Sequence, residues 1–219
     1  MSLDPKEFAG HTTSALSDAL DRLGVPGSAW GIRALGDGQR MVGRAFTVRY
    51  VPAGHPAGTV GDYIDDVEPG WVVVLDNDGR TDCTVWGDIL TAVAANRGVA
   101  GTAINGVCRD TRRALDIHYP IYSAGRFMRT GKDRVEVAEM GSTVSLGDTQ
   151  VRQGDILVGD DDGVVAIPAA YEEKVLEVAN EIAEREGQIL SEAIEKGSLR
   201  EARAHYGYHL LQRRENAEG

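Results

Sequence analysis

Trp71-Val72-Val73-Val74-Leu75, Asp88-Ile89-Leu90-Thr91-Ala92-Val93-Ala94-Ala95-Asn96 and Val99-Ala100-Gly101-Thr102-Ala103-Ile104-Asn105 follow one another in the middle of the chain. The first and third are short β-branched runs of strand length. The second is long enough for a helix and stops near Gly98. Strand, helix, strand predicts an α/β unit with parallel pairing. A further short helix is expected over 110–117, stopped by Pro120.

On the N-terminal side, residues 41–51 read as a strand. Residues 12–24 read as a helix, with Leu16, Ala19, Leu20 and Leu23 at helical spacing and Gly24 as its C-cap. Beyond Pro120 the signal changes to short β runs at 121–122, 135–137, 143–146, 155–158 and 164–167. Turn clusters such as Gly159-Asp160-Asp161-Asp162-Gly163 separate them, so a mixed sheet is expected.

The last fifty residues are helical. Pro168 suits a helix start and Gly197 a stop, and Ser198-Leu199-Arg200-Glu201 has capping-box spacing. The long helix carries Val175, Val178, Ala179, Ile182, Ile189, Leu190 and Ala193, but Glu186 interrupts this stripe. A carboxylate there must be solvated, paired or used at an interface. The chain thus divides into an α/β domain at 1–168 and a helical C-terminal extension at 169–219, expected to pack on a neighbouring subunit.

Across 219 residues, 23 Lys and Arg face 34 Asp and Glu, a net charge of −11. That balance argues against sequence-independent nucleic-acid binding and against an anionic membrane surface. The strongest apolar run, 71–75, is far shorter than the ~20 residues of a membrane span. The opening residues lack the apolar core of a signal peptide. Cys83 and Cys108 sit in no C-x-x-C pattern, so neither a zinc site nor a disulfide framework is expected. Free thiols fit a reducing cytoplasm.

Two stretches carry chemistry: Trp86-Gly87-Asp88-Ile89-Leu90 and Asn105-Gly106-Val107-Cys108-Arg109-Asp110. Each brings an acidic residue to a loop that enters a helix, where unpaired amides and a partial positive charge favour anions. Both loops would lie at the carboxyl ends of strands, where open α/β sheets bind ligands. Arg109 offers a planar fork for a carboxylate, and Asp110 a hard oxygen for Mg²⁺ or Mn²⁺. The plainer alternative makes Asp88 and Asp110 helix N-caps and Arg109 a surface charge.

Other residues read as structural. Asp76-Asn77-Asp78-Gly79 starts like a calcium loop but runs into Arg80 and is a turn. His205 and His209 share a helix face with no third ligand near in sequence, and solvent exposure is expected for both. Cys108, with no histidine close in sequence, reads as a packed, inert thiol.

Together, residues 13–20, Gly43-Arg44-Ala45-Phe46-Thr47-Val48, residues 87–90, residues 106–110 and Asp161-Asp162-Gly163-Val164-Val165 resemble the RraA-like family, in order and with family-like spacing from about residue 10 to 200. The resemblance implies an α/β fold of the swivelling β/β/α type, assembled as trimers or hexamers with sites between subunits. The family's catalytic branch contains 4-hydroxy-4-methyl-2-oxoglutarate/4-carboxy-4-hydroxy-2-oxoadipate aldolases; another branch regulates an endoribonuclease by binding it.

By that resemblance, Asp110 holds a divalent metal, Mg²⁺ or Mn²⁺, largely through water. Arg109 binds the keto-acid end, and the amides of Gly87, Asp88, Ile89 and Leu90 cradle the pyruvyl carboxylate. Asp88, Arg109 and a glutamate from a neighbouring subunit's C-terminal helix position a water. Glu186 is chosen for that role because it breaks the stripe, with Glu184 and Glu192 as alternatives. The implied activity is a metal-dependent pyruvate aldolase with oxaloacetate decarboxylase activity. A non-catalytic, protein-binding regulator and a lyase for a different keto acid are the other readings. Tyr63, His118 and Arg126 are candidates to read the substrate's substituent.

Overall fold

Val72 and Val74 face one apolar cluster while Val73 and Leu75 face another, so the run that reads as continuously hydrophobic is a strand covered on both sides. The computed structural model describes residues 3–208. In chain order its elements are α1 (Thr13–Arg22), β1 (Arg33–Ala34), β2 (Met41–Pro52), β3 (Trp71–Asp76), α2 (Asp88–Asn96), β4 (Gly101–Cys108), α3 (Thr111–Asp116) and β5 (Ile121–Arg126). Then come β6 (Val135–Met140), β7 (Val144–Leu146), β8 (Thr149–Val151), β9 (Ile156–Asp160), β10 (Gly163–Ile167), α4 (Glu172–Lys196) and α5 (Leu199–His205).

The main sheet runs β1-β5-β4-β3-β2-β9-β10, with β6 also paired to β2. The expected parallel unit is present: β2, β3, β4 and β5 pair parallel in sequence order. The twelve-residue β2 serves two antiparallel neighbours on one side, β9 along its first residues and β6 along its last. At the far edge, Ala166 N–H donates to Gly27 O at 2.7 Å and Ala29 N–H to Val164 O at 2.9 Å. The chain then enters β1, which pairs with β5, so the sheet curls into a near-barrel.

Met41, Val72, Ala103, Tyr122, Leu157 and Val164 are among the side chains of the barrel interior. The opposite face of the parallel strands packs against α2 and α3 through Val73, Leu75, Ile104, Trp86, Ala94 and Ala114. A third core seats Leu16 and Leu20 of α1 and Val175, Ala179 and Ile182 of α4 on Ile156, Val158, Val165 and Ile167. The first half of α4 therefore buries its apolar face in its own chain. Arg44 Nη1 lies 2.7 Å from Glu172 Oε1, and Glu172 Oε2 accepts from Leu3 N–H at 2.9 Å, tying the start of α4 to β2 and the N-terminus.

Several boundaries differ from expectation. Pro168 precedes a short 3₁₀ turn (Ala169–Tyr171) rather than opening α4 directly. β4 starts later and ends later than 99–105, and so leads straight into Arg109. β5 continues to Arg126, and the brief strands β1 and β8 were not anticipated. The expected caps are present at Gly24 (φ 67°) and at Gly197 (φ 65°), and Ser198 accepts from Glu201 N–H.

Candidate functional site

β4 ends at Cys108 and delivers Arg109 and Asp110 beside the start of α2. The two loops are joined by Arg109 N–H, which donates to Trp86 O at 3.0 Å, and by parallel bridges from Thr84 to Val107 and Thr130. A clamp inside the core fixes the entry to α2. Trp86 Nε1–H donates to Thr91 Oγ1 at 2.9 Å, and Thr91 Oγ1–H donates to Gly87 O at 2.9 Å; Trp86 and Thr91 are each 1% exposed.

The N-cap reading of the two aspartates fails for Asp88 and holds for Asp110 in position only. Gly87 occupies the N-cap of α2, leaving Asp88 as the first helical residue, and no side chain caps this helix. Asp110 sits at the N-cap of α3 but in the left-handed region (φ 54°, ψ 36°), and its carboxylate makes no capping bond. A non-glycine residue held there carries conformational cost, and such residues cluster at functional sites. The first-turn amides of α2 remain without intrahelical acceptors, an arrangement suited to an anion.

Arg109 Nε lies 3.3 Å from Asp110 Oδ2, and Arg113 Nε 3.8 Å from Asp88 Oδ2, all four side chains being 39–51% exposed. Such pairs are screened by solvent and readily exchange partners for a ligand. A β-carbon on Gly87 would come 2.9 Å from Asp110 Oδ2, so glycine opens the space in which that carboxylate sits. A cleft of about 170 Å³ runs between the loops, lined by Val60, residues 84–90, Arg109 and Thr130. A broader, open depression on the other side of Asp88 includes Asp110, Arg112, Arg113 and Asp116. Six of the seven expected site residues (Gly87, Asp88, Ile89, Leu90, Arg109 and Asp110) are thus brought together.

Among the described residues no three His, Cys, Asp or Glu side chains converge into a metal cage. What the site offers is Asp110, with Asp88 on the same depression. Few, hard oxygen donors are the set that Mg²⁺ or Mn²⁺ retaining most of its waters takes, and Gly87 keeps a β-carbon away from Oδ2.

Glu186 lies elsewhere. It is exposed on α4, whose packing partners include α1 and α5, and it lines neither depression. Glu192 is engaged by Lys196 and by His205, each at 2.8 Å, and these partners hold its carboxyl down at about 2. His205 is exposed, as expected, and its Nδ1 also meets Glu192 Oε2 across the α4–α5 turn; His209 lies outside the described residues. Tyr63, His118 and Arg126 line neither depression. Tyr63 is buried against Tyr50, and Arg126 reaches Leu35 O. The Asp76 turn is stapled by Asp78 N–H and Asn105 Nδ2 on Asp76 Oδ1. Cys108 is fully buried, and burial pushes its thiol up, which suits an inert role.

A family model described as RraA-like, Aldolase/RraA, matches residues 13–166. The chain belongs to the RraA-like family. Among curated relatives, the protein DlpA of Legionella pneumophila is 34% identical over 199 residues, which is 90% of this chain and 32% of DlpA. The chain thus spans about a third of that relative's length. A putative 4-hydroxy-4-methyl-2-oxoglutarate aldolase of Halalkalibacterium halodurans is 33% identical over 175 residues, 79% of this chain and 80% of that protein.

Two solved structures place the fold. An uncharacterised protein from Pseudomonas syringae pv. tomato matches with TM-score 0.84 and 40% identity over 91% of this chain and 96% of the other. Streptomyces coelicolor RraAS2, described as an unusual member of the RNase ES inhibitor RraA protein family, matches with TM-score 0.76 and 24% identity over 85% and 96%, a likeness of fold alone. Within this RraA-like fold, no helix among the described residues is long and apolar enough to cross a membrane.

Proposed function

We propose that this chain is a divalent-metal-dependent pyruvate aldolase. It cleaves 4-hydroxy-2-oxo acids such as 4-hydroxy-4-methyl-2-oxoglutarate, and decarboxylates oxaloacetate at the same site. The observation that carries this reading is the convergence of the uncapped first turn of α2 on Arg109 and on a left-handed Asp110. Relatives that bear the aldolase name support the reaction class.

In this reading the amides of Gly87, Asp88, Ile89 and Leu90 receive the C1 carboxylate, and the Arg109 fork takes the carboxylate and the C2 carbonyl oxygen. Asp110 holds Mg²⁺ or Mn²⁺ largely through water, and the bound ion supplies Lewis-acid polarisation of that carbonyl. Asp88, Arg109 and Glu186 of a neighbouring copy, in a trimer or hexamer, position the water that removes the C4 hydroxyl proton. The C3–C4 bond then breaks, C4 becomes the carbonyl of the departing fragment, and the electron pair passes to the C2 oxygen. Arg109 balances the negative charge that develops there. Return of a proton to C3 releases pyruvate. Loss of CO₂ from oxaloacetate leaves the same enolate. Neither loop contains a lysine, so the reading requires no Schiff base. Two free, buried cysteines suit work in the cytoplasm.

The test is pyruvate release coupled to lactate dehydrogenase, with 4-hydroxy-4-methyl-2-oxoglutarate and with oxaloacetate, each with Mg²⁺, with Mn²⁺ and with EDTA. Turnover is expected with metal and a loss of at least roughly 100-fold with EDTA or in Asp110→Ala. No pyruvate from either substrate in the presence of metal overturns the aldolase reading and turns attention to a protein-binding role.

A further inference from the structure

Thr84 stands in the wall of the cleft between the two loops, 3% exposed. Its backbone is held on both sides. Thr84 N–H donates to Arg129 O at 3.0 Å, and parallel bridges join the residue to Val107 and Thr130. Its carbonyl is covered by Gly131, on which a β-carbon would come within 2.5 Å of Thr84 O. The backbone therefore cannot shift to carry the hydroxyl to a partner. Its hydroxyl, sealed from water, has none among the described residues.

Buried hydroxyls are nearly always hydrogen-bonded, because an unmet one forfeits its solvation without compensation. Valine would fill the same volume without that cost. The neighbouring polar residue of the core, Thr91, shows the contrast: its hydroxyl both accepts from Trp86 and donates to Gly87. Thr84 shares the cleft with Gly87, Asp88, Leu90 and Arg109, the groups placed to hold a carboxylate. One staggered step about χ1 changes the direction of its Oγ1 with no movement of the backbone. A ligand oxygen seated in the cleft then meets a donor that the free protein leaves unused.

We propose that Thr84 is a substrate-binding residue whose hydroxyl donates a hydrogen bond to an oxygen of the bound 2-oxo acid. The assignment rests on the keto-acid reading of this site and adds to it a contact made by a side chain in the wall of the cleft. Because the hydroxyl is unpartnered without ligand and paired with it, its removal affects the two states in opposite directions.

The experiment compares wild type, Thr84→Val and Thr84→Ser of the full chain. Thermal unfolding is followed without ligand, and pyruvate is titrated calorimetrically in the presence of Mg²⁺, beside the coupled turnover assay. Thr84→Val is expected to melt at or above the wild-type temperature while its Kd for pyruvate rises about five- to ten-fold. Thr84→Ser keeps the hydroxyl and is expected to bind within about two-fold of wild type. Unchanged pyruvate affinity in Thr84→Val overturns the assignment and leaves the aldolase reading standing. A fall in melting temperature without ligand also overturns it, since the hydroxyl would then be meeting a partner inside the protein. Weakened pyruvate binding in a protein that turns over neither keto acid keeps the Thr84 contact and removes the aldolase reading. Wild type that does not bind pyruvate removes both.

Discussion

Gly87 and the Asp110 carboxylate face each other across two loops, and a β-carbon on Gly87 would lie 2.9 Å from Asp110 Oδ2 and 3.4 Å from Arg109 Nε. Gly87 has an extended backbone (φ −146°, ψ −166°) that any residue can adopt. What glycine supplies there is room beside the two charged groups.

Gly87→Ala is therefore expected to leave folding stability within about 1 kcal/mol, because the displaced atoms are the ends of half-exposed side chains. Pyruvate formation is expected to drop at least about ten-fold, since a displacement of about 1 Å is costly at a reacting centre. Chemical denaturation run beside the coupled assay separates the two effects. Full activity in the alanine variant would show that the spacing does not matter.

Asp110 combines a left-handed backbone with a carboxylate free of capping duty. Asp110→Gly removes the backbone cost and is expected to be at least as stable as wild type, whereas Asp110→Ala is expected to lose about 1 kcal/mol. Both should lose metal-dependent turnover. Urea midpoints for the three proteins check the stability order, and glycine falling below alanine would contradict it.

The Arg44–Glu172 pair makes a pH prediction. Burial alone would raise the Glu172 carboxyl, but the Arg44 guanidinium and the Leu3 amide outweigh it and hold it below the usual 4.5. A carboxyl depressed in the folded state stabilises above its unfolded value, and the gain is lost as pH falls through the folded value. Glu172→Gln is thus expected to cost about 2 kcal/mol at pH 7, with Glu172 3% and Arg44 18% exposed. The difference from wild type should shrink below about pH 4.5. Unfolding midpoints from pH 7 to 3 provide the measurement, and a gap constant over that range would exclude this role for the pair.

Much of this architecture is written in local pattern. The apolar runs of β3 and β4 and the helix between them follow from periodicity, length and a terminal glycine, and Ser198 and Gly197 mark helix ends by their own chemistry. β1, two residues long, and β8, three, carry too little pattern to be seen. The tail of β5 is hidden by Ser123-Ala124-Gly125-Arg126, a polar and small run whose pairing comes from β4. At the site, residue types and spacing picked out both loops. They did not reveal that Asp110 is left-handed, or that Gly87 rather than Asp88 is the cap, because both are set by contact between loops. Thr84 was invisible for the same reason: its unmet hydroxyl is a property of its neighbours. The bond between Arg44 and Glu172 joins residues 128 apart, beyond the reach of local pattern.

The curled sheet leaves few backbone groups to offer. Residues 27 and 29 hydrogen-bond to the outer side of β10, and β6, which lies off the main ring, gives its Val137 N–H to Thr59 O while Glu136 takes the amides of Gly54 and Gly58. With these margins occupied, a second copy has little of the main sheet to extend. Copies of this chain that meet along the main sheet would have to recognise one another by side chains, so their affinity could be tuned by single substitutions without disturbing the ladder that holds the fold.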